Sequence, residues 1–144
     1  MAFCERLSEQ LAIVAVVNPV AATGTAIVTA PVFSMALHRR ALFILQTGAV
    51  FTDATVLVQE GPVIGMTGSA TILTGAATAI TAINSQYLFE VSGEAMAAGN
   101  AWLRASLVVT ATEVMSMIVI ADVERYHPGT DNDLATVVLA GVAN

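Results

Sequence analysis

Two long stretches of this chain carry no formal charge: none falls between Glu9 and Arg39, and none between Glu60 and Glu90. Such runs belong in a bilayer, in the core of a domain, or between protein subunits. A membrane-spanning helix needs about 20 mostly apolar residues. The first run, LAIVAVVNPVAATGTAIVTAPVFSMAL, has the length, but Asn18-Pro19, Gly24 and Pro31 break it and Thr23, Thr25 and Thr29 add polar groups. The second, EGPVIGMTGSATILTGAATAITAINS, is full of Gly, Thr and Ser. Neither reads as a spanning helix, and no membrane partner is expected. Glu5 and Glu9 stand where a secretory signal would carry its basic region, so no such signal is expected either.

The same runs read readily as β-strands. LAIVAVV (11–17) and GTAIVTA (24–30) are rich in β-branched residues and separated by the Asn18-Pro19 breaker, which predicts two short strands. RRALFILQTGAVFTDATVLVQEG reads as strand, turn, strand, and is expected to form a hairpin. Both faces of its first arm are largely apolar, which predicts a strand that is central or covered on both sides. Weak strands are expected at ATIL and AITAI within the Gly-rich stretch 61–85. QYLFEVSG predicts a half-buried strand with Tyr87, Phe89 and Val91 on one face.

The clearest alternation lies in WLRASLVVTAT, where Leu103, Ala105, Leu107, Val109 and Ala111 fall on one face and Arg104, Ser106, Thr110 and Thr112 on the other. With VMSMIVIADV as its partner, buried on both faces, this segment is expected to form a second hairpin. GEAMAAG allows at most two helical turns. Short strands punctuated by Gly, Pro and Asn predict an all-β fold, an antiparallel β-sandwich or jelly roll, of one domain. The expected organisation is an N-terminal arm at 1–10, a β-sandwich domain at 11–125 and a C-terminal tail at 126–144.

Residues that carry chemistry are sparse. His38 and His127 are the only histidines and Cys4 the only cysteine, too few for a zinc site, and His38 reads as a surface residue at a strand start. The lone thiol closes no intrachain disulfide, which fits assembly in a reducing cytoplasm. ERYHPGTDND (124–133) is the most polar stretch, yet Asp131, Asn132 and Asp133 lack the Gly and closing Glu of a calcium loop. Pro128-Gly129 marks a turn, and the stretch reads as a hinge that launches the tail. No nucleophile elbow surrounds Ser69 or Ser92, and no phosphate loop exists in a chain without Lys. Asp122 and Glu124 share a strand face, which more commonly makes a solvated edge than a catalytic pair. The expectation is a non-enzymatic protein with no cofactor and no metal. Eleven carboxylates against five Arg give a net charge of −6, which disfavours nucleic acid as a partner.

What remains is an apolar surplus: 56% of the residues are hydrophobic and 11% charged, against roughly 25% charged in an average domain. Exposed apolar patches of this kind mark interfaces, and obligate homo-oligomers bury them. The candidate interface residues are Phe3 and Leu7 in the arm, Phe33 and Met35, Val63 and Ile64, and Tyr126, Pro128, Leu134, Val137 and Leu139 towards the C-terminus.

ALHRRALFILQTGAVFTDATVLVQEG, followed at a distance by RYHPGTDNDLATVVLAG, resembles the small proteins found beside the major capsid gene of many tailed bacteriophages. The shared pattern is an Arg-rich strand start, an apolar strand ending in Gln-Thr-Gly, a DATV-x-V-Q-E return strand and a late aromatic-x-Pro segment. It covers about a third of the chain, and 61–85 departs from it by being less polar. The resemblance implies a capsid decoration or cement protein, often a β-rich homotrimer seated on the outer shell, with the major capsid protein as its partner. Localisation would be the virion surface, with arm and tail reaching towards neighbouring subunits. A tail or head-tail connector subunit shares this composition. A carbohydrate-binding module would display aromatics on one face, whereas Trp102 is the only Trp and most other aromatics lie in apolar strands.

Overall fold

A computed structural model of the chain describes residues 11–23, 26–50, 52–73 and 80–122. Nine strands appear among them: β1 (Leu11–Ala22), β2 (Ala26–Thr29), β3 (Phe33–Ser34), β4 (Arg40–Thr47), β5 (Ala54–Gly61), β6 (Ala70–Leu73), β7 (Gln86–Ser92), β8 (Trp102–Val109) and β9 (Glu113–Asp122). They form two antiparallel sheets. One has the order β1-β9-β4-β7; the other has the order β2-β8-β5-β6, with β3 also paired to β8. The all-β, sandwich-like architecture expected from the alternation is present. The arm and the tail lie outside the described residues.

The period of two decides which side chains enter the space between the sheets. Along β9, Met115, Met117, Val119 and Ala121 are buried while Val114, Ser116, Ile118 and Ile120 are half-buried, and β4 and β5 alternate in the same way. The inner faces of both sheets share one hydrophobic cluster. At one point of contact Phe33 of β3 meets Phe43 of β4, with ring centroids 6.0 Å apart and tilted by 49°, a separation within the favoured range for aromatic pairs.

Both expected hairpins are overturned. β4 pairs with β7 and β9, whereas β5 pairs with β6 and β8. β8 and β9 likewise belong to opposite sheets. The reason is in the links. A tight hairpin requires positive φ at one or both turn residues, hence Asn-Gly or Gly-x, and Thr110-Ala111-Thr112 offers neither, so the chain crosses to the other sheet instead. At the end of β4, Gly48 donates its N–H to the Val114 carbonyl at 2.7 Å. A Cβ on Gly48 would lie 2.8 Å from Val114 Cγ1 and 3.2 Å from the Val114 carbonyl oxygen. Gly48→Ala is therefore expected to cost about 1–3 kcal/mol, read as a lower urea midpoint with unchanged cooperativity; an unchanged midpoint would mean that this crossing is loosely packed.

Other expectations are corrected in detail. β1 does not stop at Asn18-Pro19 but continues to Ala22, with its register slipping between Val17 and Val20. Proline is tolerated there because β1 is an edge strand at an irregularity, where the missing N–H faces no partner. β2 and β3 lie along one side of β8 on either side of Ala30, Pro31 and Val32, so the second edge also carries a proline at a break. ATIL is β6; within AITAI, Ile80 makes a single bridge to Ala54. β4 is central in its sheet, but its second face is only half-buried, as is that of β9. GEAMAAG contributes one short 3₁₀ turn, Gly93–Ala95.

Candidate interaction surface

The outer faces of the two sheets differ in chemistry. Residues directly opposite one another in a sheet project to the same side. On the sheet containing β1, register aligns Ile13, Ile120 and Leu42 in one row and Val16, Ile118, Ile44 and Leu88 in the next. Ile13 and Val16 are three residues apart, so a regular strand would put them on opposite faces. A bulge between Ile13 and Ala15 restores the match and sends both outward. The result is an aliphatic stripe that crosses the strands, with Leu88 64% exposed at its far end. Leu11, Leu42 and Ile120 also line a small apolar cleft rimmed by Arg40, Glu90 and Asp122.

The outer face of the other sheet is mixed. Aliphatic Ile27, Leu57 and Val108 are interleaved with polar groups that satisfy one another. Thr29 and Ser106 share a hydroxyl hydrogen bond at 3.4 Å, and Arg104 Nε donates to Gln59 Oε1 at 2.9 Å. Further exposed aliphatics gather at the ends of the sandwich: Leu37, Val63 and Ile64 at one, Val20, Val50 and Ile83 at the other.

A polar cluster fixes one corner beside the aliphatic stripe. Asp122, at the end of β9, accepts hydrogen bonds through Oδ1 from the backbone N–H groups of Arg39 and Arg40 at 2.9 and 2.8 Å. Its carbonyl oxygen is bonded to His38 Nδ1. His38 is buried, which corrects the expectation of a surface residue: its ring is drawn in because it joins the start of β4 to the end of β9. Leu11 opposes Asp122 in the register. Arg40 pairs with Glu90 at 3.0 Å, but the side chains are 67% and 53% exposed, so the bond adds little stability. His38, Arg39 and Arg40 also border a cleft of about 480 Å³ against Ser92, Gly93 and Glu94.

Two buried carboxylates have structural work of the same kind. Glu113 is fully buried and accepts from the N–H groups of Thr52 and Asp53 at 2.8 and 3.1 Å. Glu60, also buried, accepts from the Ala97 N–H at 2.9 Å. Each carboxylate holds a loop to a sheet end. Among the described residues no group of three or more His, Cys, Asp or Glu side chains is placed to hold a metal ion. No helix among them is long and apolar enough to cross a membrane.

Of the interface residues expected from sequence, Val63 and Ile64 lie on the surface, 47% and 63% exposed, while Phe33 and Met35 are in the core at 6% each. The burial of Phe33 and Met35 is thus accounted for inside the chain. Phe3, Leu7, Tyr126, Pro128, Leu134, Val137 and Leu139 lie outside the described residues, as do Glu124 and the stretch 124–133. Sequence reasoning missed the aliphatic stripe. The apolar second face of β4 was a partial signal for it, but the bulge in β1 that completes it has no distinct sequence mark. No protein family, curated protein or solved structure matches the chain.

Proposed function

We propose that this protein is a non-enzymatic structural component of a tailed-phage virion, a decoration or cement protein that binds the outer surface of the capsid as a homotrimer and stabilises the shell. The observation that carries the reading is the strand order, β1-β9-β4-β7 facing β2-β8-β5-β6. The order is consistent with jelly-roll wiring, in which two sheets are joined by repeated crossings from one to the other, an architecture common in viral capsid domains. The same architecture serves lectins and cupins, which reserve space for a ligand. Here the interior is filled by Phe43, Leu45, Leu103, Leu107 and Met117, all fully buried, which favours a building block over a container. The resemblance of 36–61 and 125–141 to capsid-associated phage proteins points the same way.

A cement protein does its work by binding energy alone: ligation to the assembled shell stabilises that shell by mass action. The exposed aliphatics at both sandwich ends, Val63 and Ile64 among them, suit such contacts. The test is the solution mass by light scattering, alone and after mixing with empty shells of the matching major capsid protein. The expected result is a trimer of the 14.9 kDa chain that co-sediments with shells and raises their disruption temperature. A monodisperse monomer that ignores shells would sink the reading.

A further inference from the structure

We propose that the free edge of β7 pairs antiparallel with β7 of a second copy of this chain, Leu88 against Leu88, so that two sheets join into one. Unpaired sheet edges recruit strands, and folded proteins blunt them with short strands, prolines, bulges and charged side chains. The other edges of the two sheets carry such devices. β1 has Pro19 and two register irregularities. The edge formed by β2 and β3 is interrupted at Pro31, and β6 has four residues and a register shift against β5. β7 runs against β4 for seven residues, Gln86–Ser92, in unbroken register and without proline. Among the described residues β4 is its only strand partner. Its one charged side chain, Glu90, is engaged by Arg40 at 3.0 Å.

Hydrogen-bond parity fixes which groups this edge offers. At the two ends of the β4 and β7 ladder, Gly93 N–H donates to the Arg39 carbonyl at 2.6 Å and Thr47 N–H to the Ser85 carbonyl at 2.9 Å. Bonded and non-bonded pairs alternate along an antiparallel ladder, so the odd residues of β7 face β4. The N–H and carbonyl groups of Gln86, Leu88 and Glu90 therefore point away from it. Pairing about Leu88 matches these groups: Leu88 exchanges two bonds with the partner's Leu88, and Gln86 two with the partner's Glu90. The side chains favour the same register. Leu88, 64% exposed, meets its own copy, and the row of Val16, Ile118, Ile44 and Leu88 continues across the partner. Glu90 faces a neutral amide rather than a like charge, and Tyr87 meets the partner's Phe89 in an aromatic cross-strand pair. Pairing about Phe89 would instead set Leu88 against a carboxylate.

A two-fold pair cannot close a ring of three. On the proposed homotrimer, on which this step alone rests, the β7 edges join neighbouring trimers into a net over the shell. One strand pair is a small contact, under about 1,200 Å² and of the transient class, so it forms at high protein concentration and dissociates on dilution. The test uses the full-length chain carrying Cys4→Ser, with Gln86→Cys and Glu90→Cys made singly and mildly oxidised at high concentration. In an equal mixture the two thiols lie directly opposite, with Cα atoms about 5.5 Å apart, within disulfide reach. In either variant alone they are four residues apart along the ladder, about 13 Å. The expected result is a two-chain disulfide product about tenfold more abundant in the mixture than in either variant alone, and less abundant on dilution. No such product, or equal yields in all three samples, would overturn the pairing. A yield unaffected by dilution would place the contact inside one oligomer and overturn the net between trimers. Leu88→Lys, added to both variants, sets like charges opposite each other and should remove the product; its persistence would overturn the register. The virion reading fails separately, through a protein that ignores shells while this cross-link still forms.

Discussion

Replacing Phe43 with Ala is expected to lower the unfolding free energy by about 3–5 kcal/mol. Phe43 sits at the middle of β4, has no exposed surface, and packs across the sandwich against Phe33. The substitution removes a ring's worth of apolar burial and leaves a cavity between two hydrogen-bonded sheets, which are poorly able to close over it. Against a total stability of about 5–15 kcal/mol for an ordinary domain, this loss would place the protein near the threshold of folding at 25 °C. Urea unfolding followed by tryptophan fluorescence measures it, Trp102 being the only Trp. Leu88→Ala provides the comparison: on the outer face and 64% exposed, Leu88 should contribute under about 1 kcal/mol. Equal losses at the two positions would mean that the inner and outer faces have been assigned wrongly.

The second large effect is expected at Glu113. Its two carboxylate oxygens take one backbone N–H each, from Thr52 and Asp53, in the link that carries the chain from β4 in one sheet to β5 in the other. Glu113→Ala would leave both N–H groups without a protein acceptor, at an expected cost of about 2–4 kcal/mol. Glu113→Gln keeps one acceptor oxygen but turns an NH₂ towards the other N–H, so an intermediate loss of about 1–3 kcal/mol is expected. Unfolding midpoints should rank the wild type above Gln above Ala, with amide exchange at residues 52 and 53 accelerating in the same order. If Ala lies within about 0.5 kcal/mol of the wild type, the carboxylate does not anchor this link. Glu113 directly follows Thr110-Ala111-Thr112, the link between β8 and β9. The fold makes it a buried receptor for a different loop.

These two residues show where sequence reasoning stops. The alternation in RALFILQT is enough to pair Phe43 with the inward set Ala41 and Leu45, because side chains on a strand point alternately to opposite faces. The role of Glu113 depends on residues 60 and 61 positions away, and no local pattern encodes such a partner. The same limit explains the hairpins. Strand type is a local property, whereas the choice of neighbour depends on which strands complete two facing sheets; a link such as 110–112 disfavours a tight turn without naming the strand that pairs instead.

The sequence by itself determined that this is an all-β chain, which residues of β7 and β8 share the core-facing side, and that it carries more apolar side chains than one core requires. β-branched residues at a period of two and breakers at fixed places are sufficient for that, since each acts within a few residues of itself. Only the tertiary structure decided the crossing order of the strands, the capture of His38 and the two glutamates by distant backbone, and the placement of the surplus as a stripe on one outer face. The stripe arises from side chains on four strands that are brought into rows by register and by one bulge in β1, and register is settled by the packing of the whole sheet.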